Sequence, residues 1–362
     1  MNHEYRVGLT PDNVAELTAR GHEVLVETRA GENAGFSDDD YVRAGAAIKT
    51  TPLEVFSAVD MIVKVKEPDP SEYEFLHEGQ ILYTYLHLAP NRRLTDALIA
   101  RKVKAVAFET ITDGAGNLPC LRPMSQIAGR LSIQEGAKYL EKRFGGRGVL
   151  LGGVPGVERG KIVIVGGGVV GAYAAKAAVG VEAQVTLLDV NLNRLSYLDD
   201  VFGSSVTTLY SSEANVRRAL AEADLVIGSV LIPGGKTPKL VRRDHLPLMK
   251  RGAVIVDVAI DQGGCCESSH VTTHDDPVFI EEGVVHYCVG NMPGAVPYTS
   301  TVALSNATFK YAVMMAELGL EGALKHDSGL ANGLNIYLGK CANKNVAAAH
   351  EIDYVSVSEA IA

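Results

Sequence analysis

Short apolar runs alternate with longer stretches that mix charged and apolar residues at helical spacing along most of this chain. Within residues 1–120, the runs at 24–26 and 61–65 predict strands, and the spacing at 11–20 and 91–101 predicts helices. Pro11 falls in a first helical turn, where its missing N–H costs little. Strands alternating with helices predict a parallel sheet covered on both faces. Residues 125–144 contain no Pro and predict a long helix connecting two domains; the Gly-rich stretch 145–156 is too short and too apolar for a tether and reads as an ordered loop. From Lys161 the strand–helix rhythm sharpens, with strands predicted at 161–165, 184–188, 225–228, 253–257 and 284–289. A helix over 300–318 and a polar tail follow. At about 60 residues of mostly helix, this end segment is too short to bury a core alone, so it is expected to pack back on the first region. The pattern predicts an α/β fold of two doubly wound domains. One is discontinuous, 1–120 plus 300–362, and the other, 121–299, is inserted in it.

Composition narrows the function classes. The 362 residues fit about two domains. Lys+Arg number 34 against 43 Asp+Glu, a net charge of −9, which argues against a nucleic-acid partner. No apolar run reaches the roughly 18 residues of a membrane helix, and the first six residues contain no apolar leader segment. Five cysteines (Cys120, Cys265, Cys266, Cys288, Cys341) form no CxxC and are odd in number, so a reduced, cytoplasmic setting is expected and no disulfide framework. The histidines outside the candidate site make no metal-ligand cluster, and no metal is assigned.

The sharpest chemical signal follows the strand at 161–165. Gly166, Gly168 and Gly171 form Gly-x-Gly-x-x-Gly, and an Ala-rich helix follows directly. Gly166 suits a tight turn, Gly168 lets backbone approach a pyrophosphate, and Gly171 lets helix pack on strand. The helix N-terminus adds unpaired N–H groups for phosphate. Asp189 closes the next strand, 18 residues beyond Gly171. A carboxylate there accepts hydrogen bonds from ribose hydroxyls and repels a 2′-phosphate. Strand, glycines, helix, strand and terminal acid together predict a Rossmann domain binding NAD. Arg194, five residues past Asp189, is the one nearby cation that could meet a 2′-phosphate.

Further segments carry a family likeness. They are Asn2-His-Glu-Tyr-Arg6-Val-Gly-Leu-Thr-Pro11, Lys64-Val-Lys66-Glu-Pro68, Tyr85-Leu-His87-Leu-Ala89 and Pro123-Met-Ser125 with Ala128-Gly-Arg130. Val258-Ala-Ile-Asp261-Gln-Gly-Gly264, Asn291-Met-Pro293 and Thr299-Ser-Thr301 complete the set. Together, and in this order, they resemble the alanine dehydrogenase/NAD(P) transhydrogenase α-subunit family, and alanine dehydrogenase most. The resemblance implies NAD-dependent interconversion of L-alanine with pyruvate and ammonia, by a homo-hexamer. It makes Arg6 the clamp on the substrate carboxylate and places Lys66 at the carboxylate and carbonyl oxygen. His87 becomes the acid/base group at the oxygen of the carbinolamine intermediate, and Asp261 the group holding the attacking water or ammonia. Asn291 reaches the substrate. Ser125 lies near the phosphates and Ser211 near the adenine. Val230, Leu231, Val289 and Met292 line the nicotinamide side, with Val258, Ile260 and Asp261 as further cofactor contacts.

Without the resemblance, these residues read differently. Arg6 would be a solvated charge, Lys66 a strand-end lysine and Asp261 a turn acid. His87, inside the apolar run 81–89, would be a core histidine. Family members usually begin with a short strand of about ten residues ahead of the segment that starts here at Asn2. Its lack implies an exposed sheet edge and Arg6 on a frayed terminus. Two rival functions follow: the NAD-binding subunit of a proton-translocating transhydrogenase, or a non-catalytic NAD-binding protein crippled by its short start. The joint presence of Arg6, Lys66, His87 and Asp261 favours the dehydrogenase over the first, and turnover separates it from the second.

Overall fold

A computed structural model describes residues 3–230 and 237–362, in two units, Met1–Met124 with Val296–Ala362 and Ser125–Ala295. In the first unit, helix α1 (Pro11–Ala19) begins in a capping box. The Thr10 hydroxyl accepts the Asn13 N–H, and the Asn13 side chain accepts the Thr10 N–H. Strands β1 (Leu25–Glu27) and β2 (Ala47–Lys49) pair in parallel as a separate sheet, with α2 (Asp38–Arg43) between them. Val14, Val26 and Tyr41 close a small core beneath them, and the Tyr41 hydroxyl donates to the Leu9 carbonyl.

Helix α3 (Pro52–Phe56) leads into β3 (Met61–Val63) and β4 (Ile81–Thr84), followed by α4 (Arg92–Ala100) and β5 (Lys104–Ala107). These three strands run parallel. Leu82, Leu86, Leu94 and Leu98 are fully buried in their core, each contributing roughly 1.5–3 kcal/mol relative to exposure.

The connecting helix α5 (Arg122–Tyr139) starts three residues before the predicted 125–144 and ends five before its close. A short 3-10 turn, Lys142–Phe144, takes up the remainder, stopped by left-handed Gly145. In the second unit, β6 (Lys161–Val165), α6 (Val169–Gly180), β7 (Gln184–Asp189), α7 (Leu192–Phe202), β8 (Val206–Tyr210), α8 (Glu213–Glu222), β9 (Leu225–Gly228) and β10 (Val254–Asp257) succeed one another. A hairpin, β11 (Val278–Glu281) and β12 (Val284–Tyr287), completes a seven-stranded sheet of order β11-β12-β10-β9-β6-β7-β8. All neighbours are parallel except β11 with β12. β8 and β11 were not among the predicted strands. They are the two edges of the sheet and are partly exposed. The winding direction reverses between β6 and β9, which opens the ligand crevice of this fold at the strands' carboxyl ends.

Helix α9 (Pro297–His326) begins three residues before the predicted 300–318 and runs eight beyond it, broken at left-handed Gly319. The end segment is mostly helix, as expected, but beyond α9 it is not simply a polar tail, because it adds two strands. β13 (Leu334–Tyr337) is buried throughout and runs antiparallel to β5, and β14 (Lys340–Cys341) pairs with β13. The sheet of the first unit, β14-β13-β5-β4-β3, is therefore mixed rather than wholly parallel. Leu-Asn-Ile-Tyr hides its strand character behind Asn335. That amide is buried because it donates to Thr110 Oγ1 and the Gly333 carbonyl.

Candidate active site

In the first unit the candidate substrate residues stand at or beyond the carboxyl ends of β3 and β4. The chain around Arg6 is held, not frayed, which corrects the expectation from its position near the start. Gly8 passes so close to β3 that a Cβ would come within 2.8 Å of the Val63 carbonyl oxygen. The Val7 N–H donates to Thr301 Oγ1 of α9 at 3.2 Å. Arg6 itself is buried. Its Nε and one terminal nitrogen donate to the two carboxylate oxygens of Glu4 at 2.7 and 2.5 Å, and the other terminal nitrogen reaches Met124 Sδ at 3.2 Å. A bidentate partner fixes the plane of the guanidinium before any ligand arrives. Lys66, half-buried, lies two residues past Lys64, whose ammonium is committed to Glu72 at 2.6 Å.

His87 is not the core histidine its apolar neighbours suggest. Tyr85, Leu86 and Leu88 are buried, whereas the His87 side chain is 47% exposed. Its backbone is left-handed, φ 46°, an uncommon conformation for a side-chain-bearing residue. Glu109, in the 3-10 turn Phe108–Thr110, stabilises that bend. Its carboxylate accepts the His87 N–H at 2.7 Å and the Leu86 N–H at 3.2 Å, and lies 3.9 Å from His87 Nδ1. The Tyr85 ring lies nearly parallel to the imidazole, with centroids 5.9 Å apart. Burial pushes the Tyr85 hydroxyl far above its ordinary range, and it donates to the Cys120 carbonyl. Glu4 and Glu109 were missed in the sequence: Glu4 merely precedes Arg6, and Glu109 is 22 residues from its partner in a turn without a motif.

In the second unit the three glycines have different physical reasons. A Cβ at Gly171 would collide with the Gly166 carbonyl, and one at Gly166 would come 2.9 Å from the Ser229 carbonyl oxygen. At Gly168 nothing lies within 4 Å, so packing does not demand glycine there and space above the loop is left open. The Asp189 carboxylate accepts the Gly167 N–H at 2.6 Å and the Asn191 N–H at 2.8 Å. Arg194 donates to the Gly167 carbonyl at 2.5 Å and weakly to that of Gly168. Ser211 follows β8, its N–H on the Asp189 carbonyl, and its hydroxyl is buried with no hydrogen-bond partner among the described residues. An open glycine, a carboxylate at the end of β7 and an orphaned hydroxyl beyond β8 fit an adenosine diphosphate moiety. Ser125 is half-buried one turn into α5 and Val230 half-buried after β9; Leu231 lies outside the described residues.

Asp189→Ala is expected to lower kcat/KM for NADH about 10- to 100-fold, the worth of a lost hydrogen bond to a charged group. It should also raise the NADPH-to-NADH ratio, because the repulsion of a 2′-phosphate goes with the carboxylate. Steady-state rates with the two nucleotides check this. Mere loosening of the glycine turn would depress both alike.

Asp261 is exposed in the 3-10 turn Val258–Gln262, directly after β10. It accepts the N–H of Asn291 at 3.2 Å, and Asn291 has a left-handed backbone, φ 58°. His274 lies 3.4 Å from the Asn291 carbonyl. Of the remaining expected cofactor contacts, Val258 is half-buried, and Ile260, Val289 and Met292 are buried. One buried group of metal-ligand type stands behind this turn. Asp257, Cys265 and Cys266 bring a carboxylate oxygen and two sulfurs within 4.8 Å of one another. Both Asp257 oxygens already accept backbone N–H groups, of Cys265 and Cys266. The group therefore braces the loop. Burial pushes the neighbouring Cys288 thiol up to about 12.

The profile "Alanine dehydrogenase/PNT, N-terminal domain" matches residues 1–128, and "Alanine dehydrogenase/PNT, C-terminal domain" matches 132–344. The chain is similar to alanine dehydrogenase 2 of Staphylococcus aureus (strain USA300), 54% identical over 361 residues that span 99% of this chain and 97% of that protein. It is similar to a solved L-alanine dehydrogenase, with TM-score 0.94 and 52% identity over 97% of this chain and 96% of that one. A transhydrogenase from Sinorhizobium meliloti, 23% identical with TM-score 0.82, covers 95% of this chain and 97% of its own; it shares the fold. With both domain profiles matched and more than half of the residues identical across nearly its whole length, the chain belongs to the alanine dehydrogenase/PNT family.

Proposed function

We propose that the protein catalyses the NAD-dependent, reversible oxidative deamination of L-alanine to pyruvate and ammonia. The observation that carries this reading is the full-length identity of 54% to a protein named alanine dehydrogenase, joined to the presence of Arg6, Lys66, His87 and Asp261 in the segments that carry the family likeness. NAD, when bound along the glycine turn and Asp189, supplies the hydride acceptor. The residues of the chain do the rest. Arg6, its plane set by Glu4, binds the substrate carboxylate, and Lys66 places a compact cation at the carboxylate and the developing C=O. His87 moves the proton at the carbinolamine hydroxyl, and its exposure keeps it in contact with solvent. Asp261 holds the water or ammonia that attacks. The family resemblance also supports a homo-hexamer, and five cysteines without a CxxC pair support a reduced, cytoplasmic setting. Among the described residues no helix is long and apolar enough to cross a membrane.

The test is loss of NADH absorbance with pyruvate plus ammonium, beside pyruvate alone and ammonium alone. Oxidation only when both are present is expected. A folded protein that binds NADH yet shows no oxidation with both would overturn the reading.

A further inference from the structure

Lys239 makes an arrangement that neither the cofactor motif nor the catalytic set accounts for. Its ammonium donates to three carbonyl oxygens of one turn: Gly263 at 2.5 Å, Gly264 at 2.9 Å and Cys266 at 3.0 Å. An ammonium has three donors, so the match is complete. The turn needs it. Gly263 and Gly264 are both left-handed, with φ 89° and 75°, and this fold-back aims successive carbonyls at one point. Without a cation there, three partial negative charges would face each other. On the opposite side Asp257 accepts the Cys265 and Cys266 N–H groups at 3.2 and 3.1 Å. The loop is thus gripped by an anion through its N–H groups and by a cation through its carbonyls. Gly264 leaves no slack, since a Cβ there would come within 2.6 Å of the Asp257 carboxylate.

The same turn closes the 3-10 segment that carries Asp261. The Gly263 N–H bonds to the Ile260 carbonyl and the Gly264 N–H to that of Ala259, so both bonds span Asp261. We infer that Lys239 is a positioning residue for Asp261: its ammonium, held by the Gly263, Gly264 and Cys266 carbonyls, sets the turn from which that carboxylate projects. The inference rests on the proposed role of Asp261 in holding the attacking water or ammonia and names the residue that fixes its geometry. Three carbonyl oxygens converging on a compact monovalent charge are also the kind of donors that hold an alkali cation. The lysine fills that site from within the chain, so added potassium is expected to leave wild-type kcat unchanged.

Two variants of the full-length protein test this in potassium-free buffer with L-alanine and NAD. Lys239→Ala leaves the carbonyl cage open, and Lys239→Met fills it without charge. Both are expected to lower kcat about tenfold or more, the scale of a lost charged hydrogen bond, while NADH binding changes less than about threefold. The pH profile of kcat should shift with Asp261's surroundings. Amide exchange at Cys265 and Cys266 should quicken in both. Added potassium should restore kcat and slow exchange in Lys239→Ala but not in Lys239→Met. Full kcat in both variants of an active wild type overturns the inference, as does a loss that tracks a fall in Tm with an unmoved pH profile and no potassium rescue. A wild type that binds NADH without turning over alanine instead overturns the proposed function, and the assignment to Asp261 with it.

Discussion

Replacing His87 by asparagine is expected to lower kcat by roughly 10²- to 10⁴-fold, the range for removing a general acid/base. Asparagine is the informative substitution because the position is left-handed, φ 46°, and asparagine tolerates that backbone where alanine or glutamine is strained. Its N–H can keep the 2.7 Å bond to Glu109, so the bend at the end of β4 survives. The imidazole is about half exposed and fills no core space, so Tm should move by little, in line with surface changes of about 0.5 kcal/mol or less. NADH affinity should also hold. The measurement is kcat for pyruvate with ammonium beside Tm and NADH titration. Wild-type kcat in the variant would remove His87 from the chemistry. A Tm collapse would instead make it a structural residue.

Arg6 should separate geometry from charge. Arg6→Lys keeps a cation but loses the planar fork, and kcat/KM for pyruvate is expected to fall about 10- to 100-fold, from the loss of one charged hydrogen bond. Arg6→Met goes further. It takes the guanidinium away from the Glu4 carboxylate, whose side chain is 11% exposed. Breaking a buried ion pair in this way costs about 3–5 kcal/mol, so both Tm and kcat/KM should drop. Combining Arg6→Met with Glu4→Gln should recover much of the Tm and none of the kcat/KM. Recovery of both would mean that Arg6 serves the fold and not the substrate.

The parts of this molecule legible in the sequence are those where local signal and tertiary role coincide. β6 reads cleanly because Ile-Val-Ile-Val is central, buried and followed at once by the glycine turn. β9 reads for the same reason, its four residues all buried. The edges do not, since Val206–Tyr210 and Val278–Glu281 show partial exposure and mixed polarity. β13 fails on a single residue, Asn335, whose polarity is satisfied by partners such as Thr110, far away in the chain. The candidate site divides similarly. The glycine turn and Asp189 can be argued from spacing alone. His87 cannot, because the apolar run around it suggests burial and only the bend held by Glu109 turns its side chain out. Glu4, Glu109 and Lys239 act through hydrogen bonds to backbone or to another side chain, and such bonds impose no pattern on the residues between.

The placement of β13 bears on how the protein is made. On the ribosome, β3, β4 and β5 emerge early, but the strand that covers β5 comes only after the whole inserted unit has been synthesised. At about 5–20 residues per second, that interval lasts roughly 10–45 s. Throughout it the backbone of the Lys-Ala-Val-Ala strand β5 offers an unpaired row of N–H and carbonyl groups on a nascent sheet. The contiguous inserted unit can complete its own seven-stranded sheet meanwhile, so it finishes first although it begins second. The birth of this chain is thus most exposed to mispairing and chaperone capture after residue 107 and before residue 337.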